Sequence, residues 1–293
     1  MTRHGPPIVT VDVEDWPQST LSHDLPVTGR VAVNTRRLLD LLDGCGVRAT
    51  FFVLGLVAEA HPDLVAEIGR RGHEIASHGH AHREIFLGSR SDFTADVTRS
   101  KARLEELTGR PVLGYRAPDF SVMRPTLWAL DALAEAGYRY DSSVFPVANR
   151  RYGIADWPPE PLSLELPGGG GIVELPLGVY RGLGRNWPCG GGGYMRLLPG
   201  AIFRGLARRS LRRAPFVFYC HPYELDPGEF AGLERDVPPL MRLHQGLGRG
   251  RMAERLRAFF TAFGGRSAAD FLAEEEPRRV ELGADGTLTP TRP

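Results

Sequence analysis

His73-Glu74-Ile75-Ala76-Ser77-His78-Gly79-His80-Ala81-His82 reads as a short strand, His73 to Ser77, that runs directly into two imidazoles four positions apart. The H-x3-H spacing of His78 and His82 falls in the range used by zinc ligands. One carboxylate added to two imidazoles makes a three-ligand set with a coordination position left open for water, which catalytic sites need and structural sites lack. His-rich loops also bind metal adventitiously, so the weight of this stretch depends on its company. Asp12, Glu14 and Asp15 supply candidate carboxylates at the end of another apolar run, Ile8 to Val13.

Outward from that stretch, short apolar segments alternate with amphipathic ones. Strands are expected at Ile8-Val13, Ala49-Leu54, His73-Ser77, Val112-Arg116, Tyr138-Asp141, Ile172-Leu177 and Phe216-Cys220. Val31 to Leu42 repeats Leu and Val at helical spacing and stops at Gly44, and Asp63 to Arg71 stops at Gly72 as at a glycine C-cap. Ser91-Asp92 offers an N-cap to a helix with Phe93, Val97, Leu104 and Leu107 on one stripe, ended by Gly109 and Pro111. Thr126 to Ala136 is a further helix. This alternation is the pattern of parallel β/α architecture. With 293 residues, the expected organisation is one main domain over 1–265 and a flexible C-terminal tail over 266–293. A Gly- and Pro-rich loop insertion is expected at about 146–199, where Pro158-Pro159 and the glycine runs 168–171 and 190–193 break any period. Neither glycine run precedes the Lys-Ser/Thr pair of a phosphate cradle.

Lys+Arg 36 against Asp+Glu 35 gives a net charge of +1, so no overall field argues for nucleic acid or an anionic membrane as partner. The cluster Arg208, Arg209, Arg212 and Arg213 is read as a solvated helix face. Cys45, Cys189 and Cys220 are few, odd in number and widely spaced, which fits a reducing compartment. Met1 to Pro7 leads into the first strand without the apolar core of a signal peptide. No stretch reaches the roughly 20 apolar residues of a membrane span. The expectation is a cytoplasmic protein without a membrane span.

The polar candidates fall at or just beyond the C-terminal ends of the expected strands, where a parallel β/α fold gathers its active site. Asp12, Glu14 and Asp15 follow the first strand, His78 and His82 the third, Arg116 the fourth, Asp141 the fifth and His221 the last. Such residues singly are often caps or ion pairs; their joint placement argues against coincidence.

These segments resemble the polysaccharide deacetylases of the NodB-homology type, carbohydrate esterase family 4. Thr10-Val11-Asp12-Val13-Glu14-Asp15-Trp16 is similar to the family's acidic first motif, and His78 with His82 matches its H-(S/T)-x-x-H spacing with Gly79 in the Ser/Thr place. Arg116-Ala117-Pro118-Asp119 stands at its Arg-Pro-Pro-Tyr motif, and Phe218 to Pro222 resembles the last strand with its histidine. Val11 to Trp16, Tyr115 to Ser121, Asp141-Ser142-Ser143 and Gly192 to Pro199 look closest to a subgroup found with exopolysaccharide and exosortase gene clusters.

The resemblance implies a distorted seven-stranded β/α barrel and a metal-dependent hydrolase that removes N-acetyl groups from a saccharide. It assigns Asp12 as general base, His221 as general acid, and Arg116 as the residue that orients the base. The backbone N–H of Asp119 would help to bind the oxyanion, and Asp141 would hold His221 protonated. The family's usual metal carboxylate lies beside the base, where this chain has Val13. Because residues two apart on a strand share a face, Glu14 is preferred as ligand with His78 and His82, and Asp15 stands second. The metal is expected to be zinc, with cobalt, nickel or manganese as alternatives. His80 is expected to face away from it. Trp16, Trp187 and Tyr194 are candidates for stacking on sugar rings. Two other readings stay open: a cyclic amide, imide or allantoin-type C–N hydrolase on the same fold, and a carbohydrate-binding protein that has lost catalysis.

Overall fold

The computed structural model describes residues 4–149, 151–233 and 235–291; Met1 to Arg3, read above as lacking an apolar leader, and the last two residues of the expected tail lie outside them. Among the described residues twelve strands form: β1 (Ile8–Val13), β2 (Thr50–Val53), β3 (Glu74–Ser77), β4 (Gly114–Tyr115), β5 (Tyr140–Asp141), β6 (Leu162–Glu165), β7 (Gly171–Glu174), β8 (Val179–Gly182), β9 (Arg185–Pro188), β10 (Val217–Cys220), β11 (Arg278–Leu282) and β12 (Leu288–Pro290). The α-helices are α1 (Gly29–Gly44), α2 (Gly55–Ala60), α3 (Pro62–Arg70), α4 (Arg90–Thr108), α5 (Trp128–Glu135), α6 (Gly192–Leu197), α7 (Gly200–Leu211), α8 (Pro239–Gly246), α9 (Met252–Phe263) and α10 (Ala268–Glu274).

A ten-stranded sheet runs in the order β10-β1-β2-β3-β4-β5-β7-β6-β11-β12, and β8 pairs with β9 in a separate hairpin. The strands read from the sequence are the contiguous run from β10 to β7, and each neighbouring pair in it is parallel. The order then carries on past β7 into β6, β11 and β12, with antiparallel pairing of β6 to β7 and of β11 to β12. The expected seven-stranded barrel is met only as far as the parallel run, although an isolated parallel bridge between Leu177 and Val217 does tie the chain after β7 to β10.

The period of two along β1 explains how the sheet separates core from site. Val9, Val11 and Val13 face the helical layer, in one cluster with Leu38 and Leu42 of α1, Leu64 of α3 and Leu104 of α4. Ile8 faces the other way, into a second cluster with Phe52, Ala76, Tyr140 and Tyr219, so Thr10 and Asp12 share that inner side. Each fully buried side chain of this kind contributes about 1.5–3 kcal/mol.

Local signals place the helices. Thr28 caps α1 by accepting from Arg30 N–H. A capping box between Ser89 and Asp92 starts α4, two residues earlier than Ser91 suggested, because Ser89 Oγ reaches the Asp92 N–H at 3.2 Å while the Asp92 carboxylate accepts from the Ser89 N–H. Gly109 ends that helix at φ 63°.

The insertion at about 146–199 is not all loop, since it holds β6 to β9 and α6. The tail expected from 266 onward is corrected more sharply. Arg266 bridges to Ile8, α10 follows, and β11 lies parallel to β6. Ala268 and Phe271 are buried in the inner cluster, and Val280 and Leu282 in the outer one. The N-terminus of α10 is pinned to the sheet's lower end: Ala268 N–H donates to Thr50 Oγ1 at 2.8 Å and Ala269 N–H to Glu74 Oε2 at 2.9 Å. Phe271→Ala should therefore cost about 3–5 kcal/mol, and truncation after Gly265 should abolish the cooperative thermal transition. Denaturant melts followed by circular dichroism check both.

Candidate metal centre

β1 delivers Asp12 and, one residue past its end, Glu14; β3 delivers His78 and β4 delivers Arg116. Glu14, His78 and His82 form the one cluster of potential ligands found among the described residues, with atoms all within 4.8 Å of one another and all three buried. Glu14 Oε2 lies 2.6 Å from His82 Nε2 and 3.6 Å from His78 Nε2. His78 Nδ1 meets the Arg116 carbonyl at 2.9 Å; a carbonyl accepts, so Nδ1 carries the proton and Nε2 presents its lone pair to the cluster. Gly79 and His82 take left-handed backbone, φ 77° and 56°, which folds the segment back so that both rings meet Glu14. His82 is a non-glycine residue in that region, an uncommon conformation. Burial pushes Glu14 towards the neutral acid, but the imidazoles crowded against it, His82 first, hold it well below the usual carboxylate range. The donor set of two imidazoles and one carboxylate fits a catalytic zinc site.

The alternative carboxylate, Asp15, is turned elsewhere. Its oxygens accept from Thr28 N–H at 2.7 Å and Thr28 Oγ1 at 3.0 Å, so it fixes the entry to α1. His80 also faces away, with its N–H on Asp96 Oδ2 at 2.7 Å and its ring 3.9 Å from Glu59.

Asp12 is held from behind. Arg116, fully buried, donates from Nη1 to Asp12 Oδ1 at 2.7 Å and to Thr10 Oγ1 at 2.8 Å. Its other donors go to Ser142, Nε to the carbonyl at 2.9 Å and Nη2 to Oγ at 2.8 Å, and the guanidinium lies 4.3 Å over the Phe52 ring. Across the cavity, His221 Nε2 is 3.5 Å from Glu14 Oε1 and 3.9 Å from Asp12 Oδ2.

Asp141 was expected to hold His221 protonated, and the structure places it elsewhere. It accepts from Ser143 N–H at 3.1 Å and Ser143 Oγ at 2.6 Å. The carboxylate on His221 is Glu224, with Oε2 at 3.6 Å from His221 Nδ1 and 3.0 Å from the His221 N–H. Burial opposes the charge on His221, but Glu224, Glu14 and Asp12 push the imidazole up to about 9. Burial likewise works against Glu224, while His221 and Arg196 bring it down to about 2. Arg196 Nε donates to Glu224 Oε1 at 2.9 Å. The signal that would have found Glu224 is its spacing, His221-Pro222-Tyr223-Glu224, which puts it one tight turn from the histidine. The glycine run at 190–193 has its reason here: a side chain on Gly192 would run into the Glu224 carboxylate, and one on Gly191 into the Tyr219 ring.

A cavity of about 440 Å³ joins these parts, lined by Asp12, Glu14, His78, His82 and His221 on its floor and by Asp119, Tyr152, Tyr194 and Met241 among others on its walls. Asp119 stands at φ 52° with its carboxylate on Arg151 at 2.5 Å. Trp187 is not part of this lining: it lies on β9 under the Arg185 guanidinium at 3.7 Å. Trp16 is fully buried against Phe230, with ring centroids 4.9 Å apart, so it packs a loop and offers no face to a sugar.

Residues 20–140 match the family model for polysaccharide deacetylase, and residues 142–272 match that of a domain of unknown function (DUF3473). A peptidoglycan-N-acetylglucosamine deacetylase of Bacillus cereus is 30% identical over 98 residues, 33% of this chain and 36% of its own length. Other relatives are named chitooligosaccharide deacetylase and chitin deacetylase. The chain spans 36%, 62% and 35% of the length of these relatives, in each case less than two thirds. A crystal structure from Mycobacterium smegmatis assigned by name to the polysaccharide deacetylases shares the fold at TM-score 0.63 and 24% identity, covering 100% of this chain and 96% of that one. An allantoinase shares it at TM-score 0.60 and 16% identity, covering 91% and 88%. The family model and the named relatives are polysaccharide deacetylases over part of the chain, and the solved structures share its α/β fold. No described helix is long and apolar enough to cross a membrane.

The geometry separates the two acids that the sequence left open. Glu14→Ala should lose divalent metal, read by elemental analysis after dialysis. Asp15→Ala should keep it and instead lower stability by about 1 kcal/mol, because the half-buried Thr28 donors lose their acceptor.

Proposed function

We propose that this protein is a metal-dependent N-deacetylase of a saccharide, of the kind built into exopolysaccharides from N-acetylhexosamine units. The observation that carries the reading is the meeting, in one cavity, of a His₂-carboxylate cluster with an arginine-held aspartate and a glutamate-held histidine. Amide hydrolysis needs an activated water, a stabilised oxyanion and a proton for the departing nitrogen. Asp12 and His221 supply the two proton-transfer groups, and Glu14, His78 and His82 are the residues that would hold the metal.

Glu14, His78 and His82 would hold a divalent ion, zinc by the chemistry of these donors, and when bound it would supply an acidified water and polarisation of the acetyl carbonyl. Asp12 takes the proton of the attacking water through the carboxylate that Arg116 aims. The Asp119 N–H, at the turn where the backbone goes left-handed, offers a donor to the oxyanion. His221 gives its proton to the amine nitrogen as the C–N bond breaks, and Glu224 orients that ring and compensates its charge. The products are acetate and a free amino sugar. Tyr194, on the cavity wall, offers a ring to the saccharide.

The test is acetate release from a panel of N-acetylated oligosaccharides by the metal-loaded protein, run beside allantoin and a cyclic imide. Deacetylation without ring opening is expected. Asp12→Asn and His221→Ala should each retain metal and fold and lose about 100 to 10,000-fold in kcat. Ring opening without deacetylation across the panel would overturn the reading. Glu224→Gln should lower kcat more than it raises KM, since it acts through His221; an unchanged kcat would remove Glu224 from the mechanism.

A further inference from the structure

We propose that the β8–β9 hairpin and the outer face of α7 form a docking surface for an anionic lipid bilayer. From Leu175 to Tyr223, between Glu174 and Glu224, the chain carries eight of its 36 basic residues, all arginine, and none of its 35 acidic ones. The near-neutral total therefore hides a strongly one-sided segment. Of these arginines Arg196 alone has an ion-pair partner among the described residues, the Glu224 beside the cavity.

The fold gathers the others on one flank. Phe203, Ala207, Ser210 and Leu211 of α7 are buried, which turns Arg208, Arg209, Arg212 and Arg213 outward, and all four are exposed. Ser210 Oγ donates to the Val179 carbonyl at 2.9 Å and Arg213 Nη1 to the Arg181 carbonyl at 2.7 Å, so helix and hairpin are bonded side by side. Glu160, which lines the crevice between them with Arg181 and Arg213, pairs with Arg278 at 3.7 Å.

Leu183 stands at the hairpin tip and is 93% exposed. The turn Leu183-Gly184 has φ 54° and 75°, positive at both central positions, where Asn, Asp or Gly are favoured and a branched apolar side chain is not. Neither the turn nor the packing accounts for a leucine there. Close by, Trp187 is 38% exposed, its Nε1–H on the Gly182 carbonyl at 3.0 Å and its ring under Arg185. Ile202 adds a further exposed apolar side chain on α7, at 52%. An apolar tip, an indole just behind it and a collar of unpaired arginines are complementary to the layers of an anionic bilayer: acyl boundary, headgroup level and charged surface. A soluble polyanion would use the arginines and leave the leucine without a role. Beyond β9 the chain continues into α6, whose Tyr194, Arg196 and Leu197 line the cavity, so the docking surface is joined to a wall of the site.

Flotation of the full chain with vesicles of equimolar phosphatidylglycerol and phosphatidylcholine, beside vesicles of phosphatidylcholine alone, tests this. Salt-sensitive binding to the anionic vesicles is expected, with a blue shift of tryptophan emission. Arg209→Gln with Arg212→Gln should weaken it on the order of 25-fold, at roughly fivefold per arginine. Leu183→Asn suits the left-handed turn and so folds; it should weaken vesicle binding severalfold and leave binding of dextran sulfate unchanged. Absence of binding to the anionic vesicles, or vesicle binding that Leu183→Asn leaves intact, would overturn the proposal, and the second result with tight dextran sulfate binding would point to a polyanion.

Discussion

The buried guanidinium of Arg116 is the joint on which the site depends. It sits on the strand-end segment after β4, yet its donors reach Thr10 and Asp12 on β1 and Ser142 after β5. Three strand ends are thereby fixed relative to one another by one side chain. A charge taken wholly out of water is costly unless its hydrogen bonds are met. Here the fork geometry of Arg meets that need, with Nε, Nη1 and Nη2 all donating to well-placed oxygens; a lysine in this place would be a point charge with no such match. The support goes one layer deeper. Asp141 accepts from Ser143, whose Oγ in turn accepts from the Ala117 N–H at 2.7 Å, so the segment leading to Asp119 is held by the same loop. Burial pushes the neighbouring acids Asp141 and Glu174 up, Glu174 further because it faces Asp141.

The sheet order explains why a site is built from segments so far apart in sequence. β10 pairs with β1, so the last strand of the contiguous parallel run lies beside the first, and His221 arrives opposite Asp12 and Glu14. The polysaccharide deacetylase match covers His78, His82 and Arg116, while the match to the domain of unknown function covers Tyr194, Arg196, His221 and Glu224. Asp12 and Glu14 precede both. Each matched segment alone holds part of the cavity, and the proposed chemistry needs the general acid from one and the imidazole ligands from the other.

Much of the site was legible in the sequence because polar residues directly after apolar runs are a local signal, and a parallel fold turns that local signal into convergence. Asp12, Glu14, His78, His82, Arg116 and His221 were readable for that reason. Long-range pairing was not. The resemblance implies Asp141 as the partner of His221, but which strand-end groups meet is a matter of three dimensions; the carboxylate on the imidazole is Glu224, three residues on in the same tight turn. Trp16 looked like a sugar platform because it follows the acidic motif, yet the chain turns it inward against Phe230. The C-terminal stretch reads as a tail because its composition is largely polar; Phe271, Val280 and Leu282 are spaced to fill gaps already framed by the sheet, and those gaps exist only in three dimensions.

The charges around the cavity are answered one by one, with one exception. Asp12 has Arg116, Asp15 has Thr28, and Glu224 has Arg196 and His221. At the cluster the pattern changes. His78 Nδ1 is committed to a carbonyl, His82 Nδ1 and Glu14 Oε2 are buried without a hydrogen-bond partner, and Glu14 Oε2 stands 2.6 Å from His82 Nε2. Two lone pairs that close repel unless a cation lies between them, either a proton on the imidazole or a metal shared with His78. A proton satisfies Glu14 and His82 but leaves the His78 Nε2 lone pair aimed at the same point. A divalent ion satisfies all three, and its charge offsets the cost of burying Glu14 ionised in a way that one proton does not. Asp12 and His221, the two residues proposed to move protons, stand beside this cluster and each have a second partner of their own, Arg116 and Glu224.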